Sequence, residues 1–181
     1  MALVPSEIVS AFRSRFQSET EPEIYRAPGR VNLIGEHTDY NLGFVFPIAL
    51  EMACYVAIAP AKHDKLRIYS RDFDQEFEIG VEDIRSAKPI GQWSDYVVGV
   101  AQQLANAGIE LQSSDLYIAS EVPVGSGLSS SAALEIATAF ALLGSRSMPP
   151  VEIAQWRQRL GAHQESRSGP SCKRRVRRSH Q

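Results

Sequence analysis

Pro123-Val124-Gly125-Ser126-Gly127-Leu128-Ser129-Ser130-Ser131-Ala132-Ala133 is the stretch that decides how the rest of this chain is read. Ahead of it, residues 116–119 form a short apolar run of strand character. Behind it, an Ala-rich, Leu-rich run reaches Leu143 and has the composition of a helix. The local order is therefore strand, glycine-rich turn, helix. Glycines allow a backbone to turn its N–H groups inward around an anion. The following helix adds N–H groups that lack intrahelical partners, together with the positive end of its dipole. Ser129, Ser130 and Ser131 bring three hydroxyls that can donate to phosphate oxygens or sit on a metal. The Gly-Lys-Ser/Thr ending of a Walker A loop is missing. Ser130 occupies the last glycine's place in the dinucleotide fingerprint. No Gly-x-Ser-x-Gly elbow marks a nucleophilic serine. Serine at a helix N-cap also serves plain capping, so phosphate binding and an ordinary capped turn are both open at this point.

Upstream, a second polar run stands out: Ala27-Pro28-Gly29-Arg30-Val31-Asn32-Leu33-Ile34-Gly35-Glu36-His37-Thr38-Asp39-Tyr40-Asn41. Val31, Leu33 and Ile34 carry the chain into a core, and Glu36, His37 and Asp39 then crowd beside Gly35. Side chains offering both donors and acceptors suit a polyhydroxylated ligand. Arg30 can grip a carboxylate or phosphate with two parallel hydrogen bonds. A surface turn at residues 39–43, a hydrolytic triad using His37, Asp39 and a serine, and a metal site are alternative readings. Neighbouring side chains on an extended strand point to opposite faces, which counts against Glu36 and His37 sharing one metal.

The remaining pattern sets the fold class. Ile8, Val9, Phe12 and Phe16, following Ser6, have helical spacing. Strand-like pieces come next at residues 24–27, 31–34, 44–48, 54–59, 66–70 and 77–79, and the period-two pieces predict half-buried strands. Trp93, Tyr96, Val97, Val100, Ala101 and Leu104 return to helical spacing, with Gly108 as a stop. Pro149-Pro150 interrupts the chain before one more helical pattern at residues 151–160. Strands early and helices late predict an α+β sandwich rather than regular βαβ alternation.

Hydrophobic residues make up 44% of the 181, ordinary for a globular core. No apolar run is long enough to span a bilayer, and no signal-peptide pattern opens the chain. Cys54 and Cys172 form no disulfide framework, so a reducing cytoplasm is the expected setting. The formal charge of −2 hides an asymmetry. Residues 167–181 hold six of the 19 basic residues and no acid, leaving 13 basic against 21 acidic ones, a net of −8, in the body. Residues 161–181 have no apolar period and are expected to form a basic disordered tail. Without interleaved aromatics, that tail does not predict nucleic-acid binding.

The two polar segments resemble motifs of the GHMP kinases. The run from Gly29 to Asn41 is similar to the galactokinase signature, and residues 123–132 resemble the family's Pro-x-Gly-x-Gly-Leu-Ser-Ser-Ser-Ala nucleotide loop. Trp93-Ser94-Asp95-Tyr96-Val97-Val98-Gly99-Val100 resembles a further family segment. The resemblance covers roughly residues 5–159. It implies a GHMP N-terminal domain over residues 5–160, similar to the second domain of ribosomal protein S5. It also implies ATP-dependent phosphorylation of galactose to galactose 1-phosphate. Glu36, His37, Thr38 and Asp39 would hold the sugar. Arg30 would stabilise charge on the transferring phosphoryl group. Gly125, Ser126, Gly127, Leu128, Ser129, Ser130 and Ser131 would wrap the ATP phosphates, with Ser131 on Mg²⁺ and Ser70 and Trp93 near the nucleotide. The intact form is expected to be a monomer, with no nucleic acid or membrane as partner.

Past Arg159 the family pattern stops. A glutamate that would be the second Mg²⁺ ligand and an aspartate that would act in catalysis find no matching positions. The second domain is expected to be absent, through truncation or a frameshift near residue 160, leaving the chain inactive alone. A non-catalytic sugar and ATP sensor is the competing class, disfavoured because Ser131-Ala132 is retained. A kinase for N-acetylgalactosamine or arabinose is a nearer alternative.

Overall fold

The computed structural model describes residues 3–35, 44–144 and 146. The predicted helix at residues 151–160, the expected tail at 161–181 and the polar run from Glu36 to Asn41 lie outside the described residues.

The first helix, α1, spans Pro5–Phe16. Proline is suited to the opening turn because its missing N–H would have no helical partner there. Ile8, Phe12 and Phe16 stand one turn apart and form the buried face, and the helix stops at Gln17 in a left-handed conformation. Five strands follow: β1 (Glu23–Ile34), β2 (Phe46–Pro60), β3 (Lys65–Ser70), β4 (Gln75–Gly80) and, after helix α2 (Ser94–Asn106), β5 (Ser114–Ser120). Helix α3 (Ser130–Leu143) closes the described fold.

The strands make one sheet in the order β1-β2-β5-β3-β4. Neighbours are antiparallel except β3 and β5, which run parallel. Helix α1 covers one face through Ile8, Phe12 and Phe16 packed on Ala53, Tyr55, Ala57 and Tyr117. Helices α2 and α3 cover the other, with Cys54, Val56, Leu66, Ile68, Leu116 and Ile118 beneath Val97, Ala101, Leu104 and Ala137. The expected α+β architecture is what forms.

Two strand expectations change. Residues 24–27 and 31–34 belong to a single strand, β1, and 44–48 and 54–59 largely to a single strand, β2. Pro28 does not break β1 because, among the described residues, β1 pairs only with β2, and the register shifts between Pro28 and Arg30. Nor is the sheet half-buried throughout. Residues of both parities in β2 and β5 are buried, since helices lie on both faces.

Candidate functional site

The glycine-rich segment forms the predicted turn between β5 and α3. Gly125 and Gly127 have φ of 74° and 75°, which an L side chain resists. Ser129 is also left-handed at φ 61°, one of three such non-glycine residues among those described. Strain of this kind persists where the surroundings fix it, and it collects at functional sites. The first intrahelical bond of α3 runs from the Ala133 N–H to the Ser129 carbonyl at 3.0 Å. The N–H groups of Ser130, Ser131 and Ala132 therefore stand at the helix's positive end. The Ser129 hydroxyl makes no capping bond. Ser126 is different: its hydroxyl donates to the Pro123 carbonyl at 2.7 Å and so shapes the turn.

Strand register delivers the other walls. Cys54 pairs opposite Ser120, and Ser70 lies opposite Ile118, so the middle of β2 and the C-terminal ends of β3 and β5 meet beside the turn. There they enclose a cavity of about 550 Å³. Gly125, Gly127, Ser129, Ser130 and Ser131 line one side, and Phe73, Trp93 and Tyr96 also line it. Phe73 and Trp93 stack with centroids 6.0 Å apart and planes 14° from parallel. The Trp93 Nε1–H donates to Gln75 Oε1 at 2.9 Å. Asp95 secures the approach to α2 by accepting the N–H groups of Ile90, Gly91 and Gln92 at 3.1, 2.7 and 3.3 Å.

Two further groups set the cavity's electrostatics. Asp72 lines it, but its carboxylate already pairs with Arg71 at 3.0 Å and accepts the Ser120 N–H at 2.7 Å. Burial, and then the Asp72 charge, push the Cys54 thiol up to about 12, against a smaller lowering from its hydrogen bond with Ser120. Cys54 is therefore a neutral thiol at physiological pH.

Ser70, Trp93 and the turn are thus brought together as expected. Arg30 joins them through its backbone: its N–H donates to the Leu128 carbonyl at 3.0 Å. Gly29 sits so close that a Cβ there would come within 3.0 Å of that carbonyl. Ser126, Leu128 and Arg30 do not line the cavity. Glu36, His37, Thr38 and Asp39 lie outside the described residues. Sequence reasoning passed over Cys54, Asp72, Phe73 and Tyr96. Tyr96 at least fell within the motif around Trp93; the others carried no local signal.

Among the described residues no three His, Cys, Asp or Glu gather as a metal cluster. A magnesium ion held mainly by phosphates needs few protein ligands, and Ser131, the second residue of α3, lines the cavity.

Comparison with known proteins adds identity to this geometry. Residues 10–60 match the family model described as the galactokinase galactose-binding signature, and residues 95–171 match GHMP kinases N terminal domain. A galactokinase of Chloroflexus aurantiacus is 46% identical over 152 residues, covering 82% of this chain and 38% of that protein. One from Streptomyces coelicolor is 44% identical over 140 residues, 77% of this chain and 36% of its own length. The chain thus spans well under half of these curated relatives. Among solved structures, Lactococcus lactis galactokinase complexed with galactose superposes with a TM-score of 0.82 at 34% identity, over 89% of this chain and 42% of that one. Methanococcus jannaschii mevalonate kinase shares the fold, with a TM-score of 0.74 at 21% identity, over 82% of this chain and 49% of its own.

Proposed function

We propose a function from the premise that this chain belongs to the GHMP kinases and, among them, with the galactokinases: it serves the ATP-dependent phosphorylation of galactose to galactose 1-phosphate. One observation carries the reading. A single cavity joins the glycine-rich turn and its serines to the stacked Phe73–Trp93 pair. Phosphates and a flat base are the two ends of a nucleotide, and the cavity offers a surface suited to each.

In this reading Gly125 to Ser131 cradle the phosphates, and Ser70 and Trp93 stand beside the nucleoside. Ser131 would hold Mg²⁺, which supplies charge neutralisation for phosphoryl transfer. Arg30, on the strand bonded to the turn, would add positive charge where the phosphoryl group passes. Glu36, His37, Thr38 and Asp39 would receive the sugar hydroxyls, a role suggested by their place in the matched galactose-binding signature. A monomer in the cytoplasm, with ATP and galactose as its ligands, completes the proposal.

The test divides the site. Asp39→Ala removes an acceptor worth about 1.5–3 kcal/mol per charged hydrogen bond. Galactose affinity should fall roughly ten- to a hundredfold, with Mg·ATP affinity, followed by Trp93 fluorescence, nearly unchanged. Ser131→Ala should do the reverse. Equal damage to both ligands by either substitution, or none by both, would overturn the assignment.

A further inference from the structure

Glu121 stands one residue past the end of β5 and two before Pro123. Its carboxylate gathers donors from distant segments. Oε1 accepts the Leu3 N–H at 2.8 Å, and Oε2 accepts the Ala53 N–H at 3.3 Å and the Tyr55 hydroxyl at 3.4 Å. The Glu121 N–H in turn donates to the Ala53 carbonyl at 2.9 Å. Main chain and side chain of one residue thus hold both polar groups of Ala53, extending the β2–β5 pairing past its last rung. The Leu3 N–H, and after burial's opposing push the Ala53 N–H and Tyr55 hydroxyl, hold the carboxyl below its usual range; Arg26 adds to this.

The chain beyond Glu121 reaches the site directly. Val122 is buried and lines the cavity. It also supports Gly29, where an added Cβ would come within 3.1 Å of its side chain. Leu128, on the outgoing leg of the turn, takes the Arg30 N–H. Both legs therefore rest against residues 29–30, and the incoming leg is fixed by Glu121. Glycines with positive φ give a turn little stiffness of its own, so an anion cradle built from them depends on how firmly its ends are held.

We propose that Glu121 is a positioning residue for the nucleotide-binding turn, coupling the N-terminal segment at Leu3 to the turn's incoming leg. The functional half of this rests on the reading of the turn as a phosphate cradle. Glu121 itself does not line the cavity; it acts through Val122.

Hydrogen exchange on the ligand-free 181-residue chain tests the coupling. Glu121→Ala should speed exchange about tenfold or more in peptides spanning residues 3–8 and 122–133, leaving residues 65–80 unchanged as evidence of a folded sheet. Glu121→Gln keeps an oxygen for the Leu3 N–H and should restore most of the protection. Leu3→Pro removes that donor. It should loosen residues 122–133 in the parent chain but add little to Glu121→Ala, as two members of one interaction do. Mg·ATP affinity should follow the same order. Loosening confined to residues 3–8, uniform loosening of the whole chain, or full additivity of the two changes would overturn the proposal. If exchange follows the expected pattern while Mg·ATP gives residues 122–133 no protection, the phosphate reading falls and only the coupling of Leu3 to the turn survives.

Discussion

Gly29 and Gly127 are both glycine, for different physical reasons, and the difference can be measured. At Gly29 the constraint is space, since a Cβ would meet the Leu128 carbonyl at 3.0 Å and Val122 at 3.1 Å. Gly29→Ala should cost about 1–3 kcal/mol by overpacking and lower both melting temperature and Mg·ATP affinity. At Gly127 the constraint is conformation: φ is 75°, and a Cβ would meet nothing within 4 Å. Gly127→Ala should cost about 1–2 kcal/mol of backbone strain. An exposed turn can relieve that strain locally, so nucleotide affinity should fall while melting moves less than for Gly29→Ala. Calorimetry with and without Mg·ATP reads both, and a larger melting shift for Gly127→Ala would contradict the distinction. The same residue scale shows what a sequence hides. The glycines and serines announced the turn because their types are tied to its geometry. Phe73 and Cys54 announced nothing, because their relevance arises from where strands pair.

Helix α1 shows how an element is fixed by the face it buries. Its spacing at Ile8, Phe12 and Phe16 was legible in the sequence, and those three residues form the buried stripe. Phe12 is fully buried and meets Phe16 edge to face at 4.9 Å. Phe12→Ala should cost about 3–5 kcal/mol in denaturant unfolding, whereas Arg13→Ala, on the exposed side, should stay within about 0.5 kcal/mol. A small effect at Phe12 would mean that α1 is an accessory rather than the cover of that sheet face. The helices were legible because a one-sided period survives in sequence. The strands were less so. Pro28-Gly29 looked like a break, yet β1 tolerates proline at a sheet edge. Two expected pieces, 44–48 and 54–59, flank residues 49–53, yet β2 runs through them. Pairing order was not legible at all, since no local pattern says that β5 lies between β2 and β3.

Over the whole molecule, buried and hydrogen-bonded groups set a pH window. The Glu121 carboxyl is held low in the fold, so its contribution is complete above the ordinary glutamate value near 4.3 and is lost as pH falls through the lower folded value. Cys54 has the opposite sign: its contribution is complete below the ordinary thiol value near 8.5 and is lost as pH rises toward about 12. Melting temperature should be flat between about pH 5 and 8 and fall on either side. Glu121→Gln should blunt the acid fall and Cys54→Ala the alkaline one; unchanged limbs in these variants would assign the titrations elsewhere. The sheet order carries a consequence for how such a protein is born. β5 is the last of the five strands to be synthesised, yet it lies between β2 and β3. Until residue 120 leaves the ribosome, β1–β2 and β3–β4 are two hairpins with open edges, the kind of nascent surface on which chaperones act. The strand that joins them leads straight into the glycine-rich turn, so the cavity closes only after the sheet is sealed and residues 122–134 have followed. No earlier stretch of nascent chain can complete it.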